Sequence, residues 1–252
     1  MRSLYRCAFT VLTVAGLASI VAGPARADVV GASADTRIIT LGSSPTYAFY
    51  SDMCCGAAPA DLTVLSAFTK ATTDPPNLQR TLVNFDLSGL PAGKAVQSAT
   101  LTLYSLLSEG YGNNSGVAMS VYRVTRSWTE TQVSWNSAAA GQPWTNGGGD
   151  AVGSTGVQLS NPYASSTAAP NANDIAVTWD VSTLVSQWYN GTFTNYGLLL
   201  VSASPNDLLF RSREYSGGAL APRLDVTFTP EPATMALLLV GGALVAARRR
   251  GK

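Results

Sequence analysis

The sequence predicts an all-β protein, an antiparallel β-sandwich of jelly-roll-like character with one short helix. Three observations predict it. Apolar and polar residues alternate with a period of two in several short segments, turn-forming residues separate those segments, and a single stretch carries a helical period.

Residues 36–40 and 62–68 are the first candidate strands. At 81–87, Thr81, Val83, Phe85 and Leu87 oppose Leu82, Asn84 and Asp86. At 98–104, Ala99, Leu101 and Leu103 share one face, and Thr100, Thr102 and Tyr104 the other. Candidates at 117–124, 175–180, 197–203 and 208–213 follow. The series closes at 223–228, where Leu224, Val226 and Phe228 oppose Arg223, Asp225 and Thr227. Ser88-Gly89-Leu90-Pro91, the glycine-rich 110–116, Pro205-Asn206-Asp207 and Gly217-Gly218 supply the turns. Val181, Leu184, Val185 and Trp188 form an i, i+3, i+4, i+7 stripe, which predicts a helix over 181–189. Ser182 or Asp180 suits its start, and Asn190-Gly191 its end. The Ser/Gly/Ala/Asn-rich segments 137–156 and 160–173 are expected to be surface loops.

Both chain ends are apolar and are set apart from the fold. Arg2 and Arg6 precede an apolar stretch over 7–22, and Ala25-Arg26-Ala27 follows with the small residues of a cleavage site. The pattern predicts a secretory signal peptide over 1–27, leaving Asp28 first. At the other end, Pro230-Glu231-Pro232 leads into an apolar run of about 15 residues and then Arg248-Arg249-Arg250. That run is expected to be a short C-terminal membrane helix with its arginines on the cytoplasmic side. The expected organisation is therefore signal peptide 1–27, β-sandwich 28–229 and sorting or anchor segment 230–252.

The whole chain is formally +1, but residues 28–229 keep nine basic and fourteen acidic residues, a net −5. Such a domain lacks the basic stripe that nucleic acid requires. The chain has no histidine, which removes Ser-His-Asp triads and zinc–histidine sites. Neither a G-x-S-x-G elbow nor a phosphate-cradling glycine loop is present. A carboxylate pair or a Tyr/Arg pair would still suit a hydrolase or lyase, but fourteen acids make chance pairs common. The domain is expected not to be an enzyme.

Cys54 and Cys55 are adjacent and read as a vicinal disulfide or as two free thiols. No cofactor is expected. Loop carboxylates and amides would suit a structural calcium ion, but no D-x-D-x-D-G loop assigns its ligands. Sugar binders use aromatic faces together with arginine and carboxylate groups. The candidate ligand-binding residues are Trp128, Trp135, Trp144, Arg211, Arg213 and Glu214. Trp144, in a Gly/Asn-rich loop, is expected to be the best exposed aromatic; Trp128 and Trp135 suit either core or platform. Arg211, Arg213 and Glu214 suit either a salt-bridged network between strands or a clamp for an acidic sugar carboxylate. Trp179 and Trp188 are expected in the core.

The order Pro230-Glu231-Pro232, short apolar helix, Arg248-Arg249-Arg250 resembles the PEP-CTERM sorting signal of Gram-negative bacteria. That resemblance implies export, handling by an exosortase-type enzyme and an association with exopolysaccharide production. The domain carries a second resemblance. Arg80-Thr81-Leu82-Val83-Asn84-Phe85-Asp86-Leu87-Ser88-Gly89-Leu90-Pro91, Ser98 to Tyr104, Ser127-Trp128-Thr129-Glu130 with Val133-Ser134-Trp135-Asn136, Trp179-Asp180-Val181 through Trp188, Asn195-Tyr196-Gly197-Leu198 and Phe210-Arg211-Ser212-Arg213-Glu214 occur in that order. Together they resemble the DNRLRE domain, which is similar to carbohydrate-binding module family 96, over about residues 35–228. Segment 43–59, with its cysteine pair, departs from that pattern. The resemblance implies a non-catalytic module that binds extracellular polysaccharide. The expected protein is thus exported, surface- or matrix-associated and membrane-tethered through its tail, with no nucleic-acid partner. The alternative is a structural scaffold of matrix or biofilm.

Overall fold

The computed structural model describes residues 27–41, 48–49, 64–70, 77–106, 116–168, 172–203 and 208–229. Cys54, Cys55 and the tail 230–252, with Pro230, Glu231 and Pro232, lie outside these residues, as does residue 1–26 of the expected signal peptide. Among the described residues no helix is long and apolar enough to cross a membrane.

Fourteen strands run in chain order among the described residues. They are β1 (Ala27–Leu41), β2 (Ala48–Phe49), β3 (Val64–Lys70), β4 (Asn77–Phe85), β5 (Val96–Leu106), β6 (Val117–Val124) and β7 (Ser137–Ala139). Then come β8 (Gln142–Pro143), β9 (Ala151–Val152), β10 (Ala164–Ala168), β11 (Ala176–Asp180), β12 (Leu198–Ser202), β13 (Leu208–Arg211) and β14 (Arg223–Phe228). One helix, α1 (Ser182–Tyr189), and one 3₁₀ turn (Tyr215–Gly218) complete the set. All these pairings are antiparallel, so the described residues are all-β with one short helix and are consistent with a sandwich.

One layer is β11-β5-β14 with the start of β1. The other is β10-β6-β12-β4 with the rest of β1. β1 joins both layers. Its residues Ala27 to Gly31 pair with β14, and from Ala32 onward it pairs with β4, with a register shift between Ala32 and Ala34. The irregularity at Ser33 is a bulge, the device by which a strand changes sheets. On the far side β13 pairs with both β3 and β5, and β3 pairs with β4.

The main core lies between the layers. Ala99, Leu101 and Leu103 of β5 and Leu224, Val226 and Phe228 of β14 meet Val83 and Phe85 of β4, Met119 of β6 and Leu198 of β12. The face alternation read from the sequence for β5 and β14 therefore holds. Helix α1 closes the core with Leu184, Val185 and Trp188, as its stripe predicts. Ser182 is inside the first turn rather than capping it: Asp180 Oδ1 accepts from Ser182 N at 3.0 Å, while Ser182 Oγ accepts from Ala99 N at 2.9 Å. Asn190 caps the other end and Gly191 follows at φ +72.

A second hydrophobic cluster corrects the expectation that 137–156 is a surface loop. Ile38, Leu82, Tyr122, Val124 and Leu199 face outward from the second layer, and Val133, Trp135, Ala138, Trp144 and Ala151 cover them. Leu82 is fully buried, although its alternation had placed it on the polar side of β4. The segment 160–173 also differs from expectation, since Ala164–Ala168 pairs with β6 as an edge strand.

Candidate functional site

The expected exposure of Trp144 does not hold, and Trp135 takes the core reading rather than the platform one. Trp144 is 6% exposed and donates from Nε1 to Ser134 O at 2.9 Å, so it is a core residue of the outer cover. The glycines that follow it pack instead against Trp135, where a Cβ on Gly147 or Gly148 would meet that ring. Trp135 is 9% exposed, with the Arg80 guanidinium 4.7 Å above its ring. Arg80 also donates to Gly148 O at 2.7 Å. Burial lowers its pKa to about 10, which leaves it charged at neutral pH. Trp128 is half-buried against the same cluster and donates to Tyr196 O at 2.9 Å.

Arg211, Arg213 and Glu214 separate into two environments. Arg211 pairs with Asp174 at 3.0 Å and lies 3.7 Å from the Tyr215 ring centroid. Arg213 enters a carboxylate cluster that local spacing does not reveal. Its guanidinium pairs with Glu130 at 2.7 Å and with Glu214 at 2.6 Å, and it donates to Ser33 O at the β1 bulge. Its backbone N–H donates to Asp35 Oδ2 at 2.8 Å, and Asp35 N donates to Glu130 Oε1 at 2.9 Å. Glu214 Oε2 accepts from Ser212 Oγ at 2.9 Å. One carboxylate oxygen each from Asp35, Glu130 and Glu214 lie within 4.8 Å of one another. Asp35 is 5% exposed. Burial pushes its pKa up to about 7 against the bond from Arg213 N, and the neighbouring Glu214 and Glu130 charges push the same way. These contacts match the salt-bridged reading of Arg213 and Glu214 more closely than an open clamp.

Concave surface occurs instead at one end of the sandwich. Two open depressions, of about 560 and about 530 Å3, share Leu90 on the turn after β4. One brings Asp28 of β1 beside Asp86, and the other brings Lys94 beside Tyr189 and Asn190 at the end of α1. Both are open to solvent rather than enclosed. Ser88 holds the Asp86 carboxylate below its usual pKa by donating from its backbone and side chain. Tyr189 is fixed by hydrogen bonding to Pro91 O, by accepting from Lys94 N at 3.3 Å, and by packing 5.3 Å from Phe228. Sequence reasoning missed this site, because the 88–94 turn and the end of α1 are about a hundred residues apart and share no motif.

The described residues form an antiparallel all-β domain with an outer cover and two open depressions at one end. The disaggregatase related repeat domain matches residues 65–226, more than half of the chain, and the chain belongs to that family. No match is found among curated proteins.

Proposed function

We propose that this is an exported, non-catalytic domain that binds extracellular polysaccharide at the cell surface or in the matrix. The observation that carries the reading is the paired end cleft around Leu90, which combines a fixed aromatic ring with carboxylate, amide and ammonium side chains. Tyr189 offers a face for sugar C–H groups, and Asn190, Lys94, Asp28 and Asp86 offer hydroxyl partners. Membership of the disaggregatase related repeat family supports it, as does the resemblance of the motif series to the DNRLRE domain. The resemblance of Pro230-Glu231-Pro232 and its flanks to the PEP-CTERM signal supports export, exosortase-type handling and a membrane tether. With no histidine in the chain, the domain is read as a binder rather than a hydrolase or lyase.

Affinity electrophoresis of the full chain through gels containing neutral or uronate-rich polymers tests the binding. Retardation should occur with one polymer class and weaken several-fold in Tyr189→Ala and Asn190→Ala. Absence of retardation in every polymer would leave the matrix-scaffold role. Release of reducing ends or unsaturated sugars would make the domain an enzyme. For placement, alanines at Pro230, Glu231 and Pro232 should cause retention or mis-sorting.

A further inference from the structure

We propose that Asp35, Glu130 and Glu214 form a binding site for a hard divalent cation of the calcium class. The three carboxylates come from β1, from the outer cover and from the turn after β13, yet one oxygen of each lies within 4.8 Å of the others. Arg213 is the cation paired with Glu130 and Glu214, so with Asp35 ionised one arginine faces three carboxylates. A second observation is independent of the clustering. Asp35 is 5% exposed, and its Oδ1 has no hydrogen-bond partner, while Oδ2 accepts from Arg213 N. A buried carboxylate oxygen with nothing to bond is costly unless a proton or a cation occupies it, and a cation would compete with the proton.

The donor set defines the ion. All the side-chain donors are oxygens, and no histidine exists in the chain, so soft or borderline transition metals are disfavoured. Each Glu carboxylate already holds Arg213, and carboxylate oxygens keep lone pairs for a second partner. An irregular carboxylate set suits calcium, which tolerates variable coordination, better than magnesium, which demands an octahedron. The site ties three remote chain segments together at the Ser33 bulge, so its occupancy stabilises the join between the cover and the sandwich. It is independent of whether the end cleft binds a glycan.

The test is calcium chloride titrated into the full chain after chelator treatment, followed by calorimetry and by thermal unfolding. The expected result is one saturable site, with a dissociation constant of about 10⁻⁴–10⁻³ M as in extracellular modules. A rise in Tm should accompany saturation and be smaller with magnesium. Asp35→Asn should weaken calcium binding at least tenfold and flatten the Tm response, while Asp225→Asn should leave both intact. If Asp35→Asn does not fold, Glu214→Gln, at the exposed edge, carries the same comparison. No calcium binding to the wild-type chain overturns the proposal. So does calcium binding that the folded Asp35 or Glu214 variant retains undiminished.

Discussion

Arg213 donates its backbone N–H to the buried Asp35 carboxylate at 2.8 Å, across 178 positions of the chain. Its side chain then reaches Glu130, so one residue joins β1, the outer cover and the turn after β13. Replacing Arg213 by Ala leaves the backbone bond but strips the cluster of its arginine. The expected loss is about 1–3 kcal/mol, the scale of a charge-assisted bond in a partly exposed setting. Thermal unfolding checks it, and polysaccharide retardation per folded molecule should stay unchanged.

Trp144→Ala should destabilise by about 3–5 kcal/mol, because it opens a cavity under the outer cover and orphans Ser134 O. Denaturant unfolding followed by tryptophan fluorescence reads it. A loss within a few tenths of a kcal/mol would contradict the burial of this ring.

Gly148→Ala is a sharper probe of the same region. Gly148 has φ +82, and a Cβ there would sit 2.7 Å from Trp135 Cζ2 and 2.5 Å from Arg80 Nη1. The left-handed backbone alone costs roughly 1 kcal/mol for a residue with a side chain. Displacement of the Trp135 ring should add to that and appear in the near-ultraviolet circular dichroism.

Acid should loosen the cover before the sandwich. Burial works to raise the Asp150 pKa, but the N–H groups of Thr145 and Asn146 donate to it at 2.9 and 2.8 Å and outweigh burial, so its pKa is lowered. A group whose folded pKa lies below its unfolded value, about 4 for aspartate, stabilises above that value. The contribution is lost as pH falls through the folded pKa. Stability should therefore fall below about pH 4, and Asp150→Asn should flatten that part of the profile in pH-dependent unfolding.

The strands with one wet face were legible, and those with two buried faces were not fully so. Val117 to Val124 reads as β6 with its bounds intact, and β5 and β14 follow their alternation. The Leu198-Leu199-Leu200 run carried the signal for the outer cover, since three consecutive apolar residues on one strand need covering on both sides. Leu199 indeed packs in the outer cluster while Leu198 and Leu200 pack inside. Ala164 to Ala168 escaped notice because Ala-Ser-Ser-Thr-Ala has little apolar contrast, and its strand conformation comes from pairing with β6. Arg213 and Glu214 were legible as charged neighbours. Their partners Asp35 and Glu130 were not, because tertiary folding alone brings those positions together.

The position of β14 has a mechanical consequence. It is flanked by β1 on one side and β5 on the other, with antiparallel ladders along both edges. A pull transmitted through Thr229 runs along the axis of β14, so it loads both ladders in shear. Many hydrogen bonds must then fail together, rather than one after another as in a peeled edge strand. A domain held from that end would resist extraction by its last strand.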